Sequence, residues 1–151
     1  MTKQKIFEKI QEQIRQEIYP GASLALYQAG QWREFYFGLA DPQERKVTQA
    51  GLVYDLASVS KVVGVGTLAA FLYEQGKLDL DLPLQHYYPD FHREDVTVRQ
   101  LLTHTSGLDP FIPNRDQLAA PELKAALNHL TVLEDKTFRY TDVNFLLLGF
   151  M

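Results

Sequence analysis

Ser58 and Lys61 stand three positions apart in the stretch YDLASVSKVVG, residues 54–64. On a helix that spacing puts both side chains on one face, with Cβ atoms roughly 5–6 Å apart, so the amine can reach the hydroxyl. A serine at a helix start also lies beside unpaired backbone N–H groups, whose partial positive charge favours an oxyanion. A lysine desolvated by Val62, Val63 and their apolar neighbours holds its proton less tightly, and a neutral amine can take the proton of the serine. These types therefore offer a serine nucleophile with a lysine proton partner. The competing reading is a helix-capping serine beside a solvated lysine, since any serine with a lysine three residues later meets the spacing. Ala57 and the small-residue run from Val62 to Thr67 favour the first, because they let a helix thread a core and bury Lys61. Ser60 has no lysine at the third position after it and reads as a helix cap or packing residue.

Composition narrows the function classes. The chain of 151 residues has a net charge of -4, with acidic and basic residues mixed along it, which leaves no electrostatic footprint for nucleic acid. It has no cysteine, which excludes disulfides, thiolate catalysis and cysteine-ligated zinc. His86, His92 and His129 lie in irregular sequence without metal-ligand spacing, so no metal and no cofactor is expected. The longest apolar run, Val62 to Tyr73, is too short to span a membrane. The charged N-terminus offers no apolar signal segment. As written the chain is expected in the cytoplasm, or outside it if a signal has been removed.

The elements that must position the serine and lysine follow from periodicity. Ile6, Ile10, Ile14 and Ile18 recur every four residues and predict an amphipathic helix over 3–18, stopped by Pro20-Gly21. Ala22–Tyr27 and Trp32–Phe37 predict an antiparallel hairpin about Ala29-Gly30, ended by Gly38, with a turn at Asp41-Pro42. Leu52–Leu56 reads as extended, and residues 59–75 as a mostly buried helix closed by Gly76. Lys77–Tyr88 reads as a loop, because Pro83 argues against a central strand. Thr97 caps a short helix to Thr103, and Gly107–Pro113 is irregular. Pro121–Leu130 is helical, and Asp142–Phe150 forms a last helix with Asp142 as its cap.

Four segments carry a resemblance. DLASVSK (55–61), EQGKLDL (74–80), TVRQLLTHTSGL (97–108) and FRYTDVNF (138–145), followed by Leu147-Leu148-Gly149, occur in an order that resembles the serine beta-lactamase-like family. That family includes class C beta-lactamases, low-molecular-weight penicillin-binding proteins and related esterases. The resemblance implies an α+β fold, an antiparallel sheet flanked by helices plus a mostly helical region. Residues 1–151 are then the N-terminal part of such a domain, with the first helix and strands in 3–57 and the nucleophile helix and helical region in 58–151.

The resemblance further implies an acyl-serine mechanism on an ester, amide or beta-lactam. Ser58 is its nucleophile, Lys61 the proton partner, and Tyr140 the relay to the leaving group, supported by Asp142 and Asn144. Two positions after Tyr140 stands Asp142 where Asn is common in class C enzymes. A carboxylate there favours the charged Lys61 and moves the base role toward Tyr140, whereas Asp142 as a helix cap leaves Lys61 free to act as base. His104, tempting as a triad base, resembles the family's structural turn beside the site, as do Ser106 and Gly107. The family's third motif, Lys or His followed by Thr or Ser and Gly, does not occur after Tyr140. The chain is thus expected to be part of a longer protein and to need a complementary C-terminal segment for activity. The alternative is a non-catalytic binding or regulatory fragment.

Overall fold

Helix α1 (Lys3–Arg15) begins a computed structural model that describes residues 2–151. The described residues form two compact units, one ending at Asp55 and one spanning Leu56–Met151. Thr2 caps α1 by accepting from the Lys5 N–H at 3.4 Å. The isoleucine period continues to Ile18, but the helix stops at Arg15. Glu17 turns left-handed (φ 56°) ahead of Pro20, and Ile18 is exposed. Periodicity alone cannot register that reversal.

Phe7 of α1 stacks on Phe35 and Phe37, with ring centroids 4.6 and 5.1 Å apart. Both belong to β2 (Gln31–Asp41), which pairs antiparallel with β1 (Gly21–Gln28) in a register running from Gly21 opposite Gly38 to Gln28 opposite Gln31. Ala29 and Gly30 both take positive φ, the backbone a two-residue hairpin turn requires. The strands are longer than expected, and Gly38 does not end the hairpin. It sits inside β2 at φ 68°, where a Cβ would collide with the Pro20 carbonyl, and β2 continues to pair with β3 (Lys46–Val47). Between them Asp41 Oδ1 accepts from the Gln43 and Glu44 N–H groups at 2.8 and 3.2 Å, which fixes the turn.

Residues 52–56, where the first unit gives way to the second, are irregular and carry no strand. The helical run starts at Val59, opens into a π-helical segment over Lys61–Gly66, and continues as α2 (Thr67–Glu74). Valines and glycines are poor α-formers, so a wider turn costs little there, and Thr67 Oγ1 donates to the Val62 carbonyl at 2.9 Å. The helix closes as a Schellman motif. The Gly76 N–H bonds to Tyr73 O, the Lys77 N–H bonds to Leu72 O, both at 2.9 Å, and Gly76 is at φ 66°. The run is not mostly buried as expected. Ala69 alone in α2 is buried, and Val62 is 66% exposed, because an apolar composition does not say which neighbour covers the helix.

The stretch expected as a loop contains a short helix, α3 (Leu84–Tyr87), started by Pro83. Pro83 tolerates this place because the first turn of a helix needs no N–H from it. Around it the chain pairs locally with residues 96–98, through Leu84 N–H to Val96 O at 2.9 Å and Val98 N–H to Leu82 O at 3.2 Å. Helix α4 (Val98–Leu102) has the expected Thr97 cap as a full capping box with Gln100. A 3-10 turn at Arg115–Gln117, α5 (Ala120–Asn128) and α6 (Asp142–Phe150) complete the unit. Its core contains Leu84, Phe91, Val96, Val98, Leu101, Leu127, Val143 and Leu147, all inaccessible to solvent. Burying each such side chain stabilises by about 1.5–3 kcal/mol. This packing ties α4 to α6, and so ties the His104 turn to the segment that carries Tyr140 and Asp142. The architecture is α+β, an antiparallel sheet with a helix on it and a mostly helical second part.

Candidate active site

Ser58 directly precedes the helical run, behind an alanine in an unusual conformation. Ala57 has φ 44°, a left-handed backbone that costs an L-residue with a Cβ roughly 1–2 kcal/mol. From this turn the Ser58 hydroxyl meets the Lys61 ammonium, which donates to Oγ at 3.0 Å. The same ammonium lies 2.7 Å from Asp142 Oδ1, with Lys61 18% and Asp142 48% exposed. Arg115 Nη2 approaches the other carboxylate oxygen at 3.5 Å. Asp142 is therefore not a helix cap. Thr141 occupies that position, and the Asp142 carboxylate at the start of α6 is shared by two cations.

This geometry overturns the neutral amine expected from desolvation. The hydrogen bond to Asp142 raises the Lys61 pKa above its ordinary value, with Tyr140 adding to the effect, and burial opposes it without prevailing. Val62 and Val63, which were to desolvate the amine, are exposed. Reciprocally, Lys61 and then Arg115 hold the Asp142 carboxyl below its usual range, against the opposing effect of burial.

The helix start differs from expectation too. The N–H groups of Val59, Ser60 and Lys61 bond to the carbonyls of Leu56, Ala57 and Ser58 at 2.9, 3.1 and 3.2 Å. Tight turn bonds thus use the donors that were to face an oxyanion. Ser60 makes no side-chain cap bond. It lines, with Lys61, Val65, Arg115, Asp142 and Phe145, an open cavity of about 330 Å³ whose walls are both apolar and charged.

Tyr140 lies across Lys61, whose Nζ is 5.5 Å from the centroid of its half-exposed ring. The Tyr140 ring also rests on the His104 imidazole, with centroids 4.6 Å apart. His104 is buried at φ 56°. Its Nδ1 accepts from the Thr141 N–H at 3.4 Å and from Asn144 Nδ2 at 3.0 Å, and its carbonyl accepts from the Arg139 N–H at 2.8 Å. Asn144 is 2% exposed, and its Oδ1 accepts from Ser106 Oγ at 2.6 Å. Asn144 is thus placed in a buried network behind Tyr140, whereas Ser58, Lys61 and Asp142 meet at the surface. Burial, followed by the Lys61 charge, lowers the His104 pKa, with Asp142 opposing.

Gly107 follows at φ 70°, where a Cβ would press on Lys136 and the carbonyls of Asp135 and Leu133 at 3.0–3.2 Å. A cavity of about 130 Å³ lies among His104, Ser106, Thr141 and Asn144, and the buried Thr141 Oγ1 there has no protein partner. Sequence reasoning missed Arg115. It stands in an irregular stretch where neither spacing nor periodicity marks it. Among the described residues no cluster of His, Asp or Glu is arranged to hold a metal ion, and no helix is long and apolar enough to cross a membrane.

A family model described as Beta-lactamase matches residues 6–151. A beta-lactamase of Providencia stuartii is 33% identical over 127 residues, which cover 80% of this chain and 33% of that protein. The mouse mitochondrial protein named serine beta-lactamase-like protein LACTB is 42% identical over 78 residues, covering 47% of this chain and 14% of its own. Among solved structures, a class C beta-lactamase in complex with cefoxitin superposes with a TM-score of 0.80 at 29% identity, over 97% of this chain and 42% of that one. The chain therefore spans about a third of the length of the first of these relatives.

Proposed function

Because the chain belongs to the beta-lactamase family, we propose that Ser58 is the nucleophile of a hydrolase acting on an ester, an amide or the cyclic amide of a beta-lactam. Ser58 Oγ attacks the carbonyl carbon while Tyr140, as a phenolate held by the Lys61 ammonium, takes its proton. The Lys61 ammonium donates to Oγ and stands beside Tyr140, so it stabilises negative charge at either oxygen. The tetrahedral intermediate collapses, the bond to the leaving nitrogen or oxygen breaks, and Tyr140 returns its proton to that atom. Water then attacks the Ser58 ester, which releases the acid and restores the hydroxyl.

One observation carries this assignment of roles. Lys61 is 3.0 Å from Ser58 Oγ and 2.7 Å from Asp142 Oδ1 at once, so it serves as a fixed cation and not as the base. The cefoxitin complex of the class C relative supports a beta-lactam as one acylating substrate. With the N–H groups of residues 59–61 engaged, the second oxyanion donor and the cover for the exposed face of the nucleophile helix come from a complementary C-terminal segment. The same observation favours the second reading, a non-catalytic binding or regulatory fragment.

Intact-protein mass after exposure to a penicillin and, separately, to a p-nitrophenyl ester, with the adduct mapped by peptide, tests the proposal. The expected result is an adduct on Ser58, absent from Ser58→Ala and slowed in Tyr140→Phe. Folded protein left unmodified by both reagents would support the fragment reading. Unchanged acylation in Tyr140→Phe would return the base role to Lys61.

A further inference from the structure

Tyr140 has to be held, yet residues 139–141 have no regular secondary structure to hold it. We infer that His104 is the positioning residue that fixes Tyr140, through a neutral imidazole whose Nδ1 acts as an acceptor. The inference rests on the reading of Tyr140 as the proton acceptor. A single residue brackets the tyrosine. The His104 carbonyl takes the Arg139 N–H on one side, Nδ1 takes the Thr141 N–H on the other, and the ring backs the phenol between them.

The protonation state follows from the partners. Nδ1 faces two N–H donors, the Thr141 backbone and Asn144 Nδ2, so its lone pair must be free and the ring proton sits on Nε2. The Thr141 backbone N–H can only donate, so it fixes Nδ1 as the acceptor, and Asn144 then turns Nδ2 to the ring and Oδ1 to the Ser106 hydroxyl. The network therefore selects one tautomer and orients one ring. Protonation would set an N–H against two others, and the Thr141 contact beside Tyr140 would break. The charged groups acting on the ring are Lys61, which disfavours its protonation, and Asp142, which favours it, while Asp135 and Arg139 line the adjoining cavity. Because Nδ1 is engaged with Thr141 and Asn144, His104 acts on the reaction through Tyr140.

The backbone explains why few residues can substitute. At φ 56° the position suits Gly and, among residues with side chains, Asn, Asp and His. Asn alone among the uncharged ones also offers an acceptor oxygen, and it does not titrate.

The experiment compares the whole protein with its His104→Asn, His104→Ala and Tyr140→Phe variants. It follows Ser58 acylation by a penicillin against pH, and the Thr141 amide resonance against pH. His104→Ala should lower the acylation rate constant roughly 10- to 100-fold with little change in the concentration dependence. His104→Asn should recover most of the rate and lose an acid limb that lies below the ordinary histidine value of 6.5 in the parent. The Thr141 amide should titrate with the imidazole in the parent and stay fixed in His104→Asn. If Tyr140→Phe slows acylation but His104→Asn retains the parent's acid limb, or the Thr141 amide does not titrate, the inference is overturned while the function stands. If Tyr140→Phe acylates at the full rate, the proposed function fails first, and the Thr141 titration still decides whether His104 holds that segment. Should His104→Ala not fold, His104→Asn and the parent titration decide alone.

Discussion

Ser106→Ala removes one hydroxyl from the network behind Tyr140, and the structure sets the size of the effect. Ser106 Oγ donates to Asn144 Oδ1 at 2.6 Å and accepts a weaker bond from the Leu108 N–H at 3.3 Å. Both residues are almost inaccessible, so the substitution strands a buried amide oxygen, and such a group costs about 1–3 kcal/mol. Losing the longer bond adds about 0.5 kcal/mol. The neighbouring cavity of about 130 Å³ is polar and roomy enough for water to reach Asn144, which keeps the sum near the middle of the range. The expected loss is about 2 kcal/mol, a roughly 30-fold change in the unfolding equilibrium and a fall in Tm of about 4–8 °C. Denaturant unfolding with parallel thermal melts measures it, and a cycle with Asn144→Ala should show coupling of about 1 kcal/mol or more. A loss under about 0.5 kcal/mol with no coupling would refute the network as a source of rigidity.

Replacing Asp142 by Asn removes the carboxylate that holds the Lys61 proton, so the Lys61 titration followed by NMR should move downward, and an unmoved midpoint would refute the ion pair. Stability should fall in two acid steps. The depressed His104 pKa makes it decline as pH drops below 6.5 and level off at the lower folded value. The depressed Asp142 pKa keeps its contribution above 3.8 and loses it as pH falls through the folded value. Denaturation at stepped pH should show the first step vanish in His104→Asn and the second shrink in Asp142→Asn. Ala57→Gly should relieve left-handed strain and raise stability by about 0.5–1 kcal/mol, net of the entropy of glycine, while slowing acylation because Ser58 is less firmly held. Gly107→Ala should cost about 1–3 kcal/mol in chemical denaturation, since its φ is positive and its Cβ meets backbone.

What could be read in the chain beforehand was whatever depends on neighbouring residues. The Thr97 cap, the glycine closure at Gly76 and the hairpin about Ala29-Gly30 all follow from local stereochemistry. The Ser58–Lys61 spacing was legible for the same reason, as one helical turn. What escaped depends on distant partners. Whether Asp142 caps α6 or pairs with Lys61 is decided by packing across 81 positions of sequence, and Asn144 finds Ser106 across 38. The Leu-Asp alternation at 77–88 fits loop, strand and helix alike until the pairing with 96–98 selects α3. Ile18 kept the helical period, but Pro20 and the reversal into β1 prevailed over propensity.

The π-helical segment between Lys61 and Gly66 sets a phase relation along the nucleophile helix. A bond from residue i to i+5 encloses one residue more than an α-turn, and one residue is about 100° of rotation. The face carrying Ser58 and Lys61 and the face carrying Ala69 are therefore offset by a step that an uninterrupted α-helix would lack. Upstream residues can be oriented for the reaction and downstream ones for the core without either compromising the other. Deleting Gly64, whose absent side chain faces open space, would erase the offset and turn one face against the other. In that sense a single glycine acts as a gear tooth between chemistry and packing.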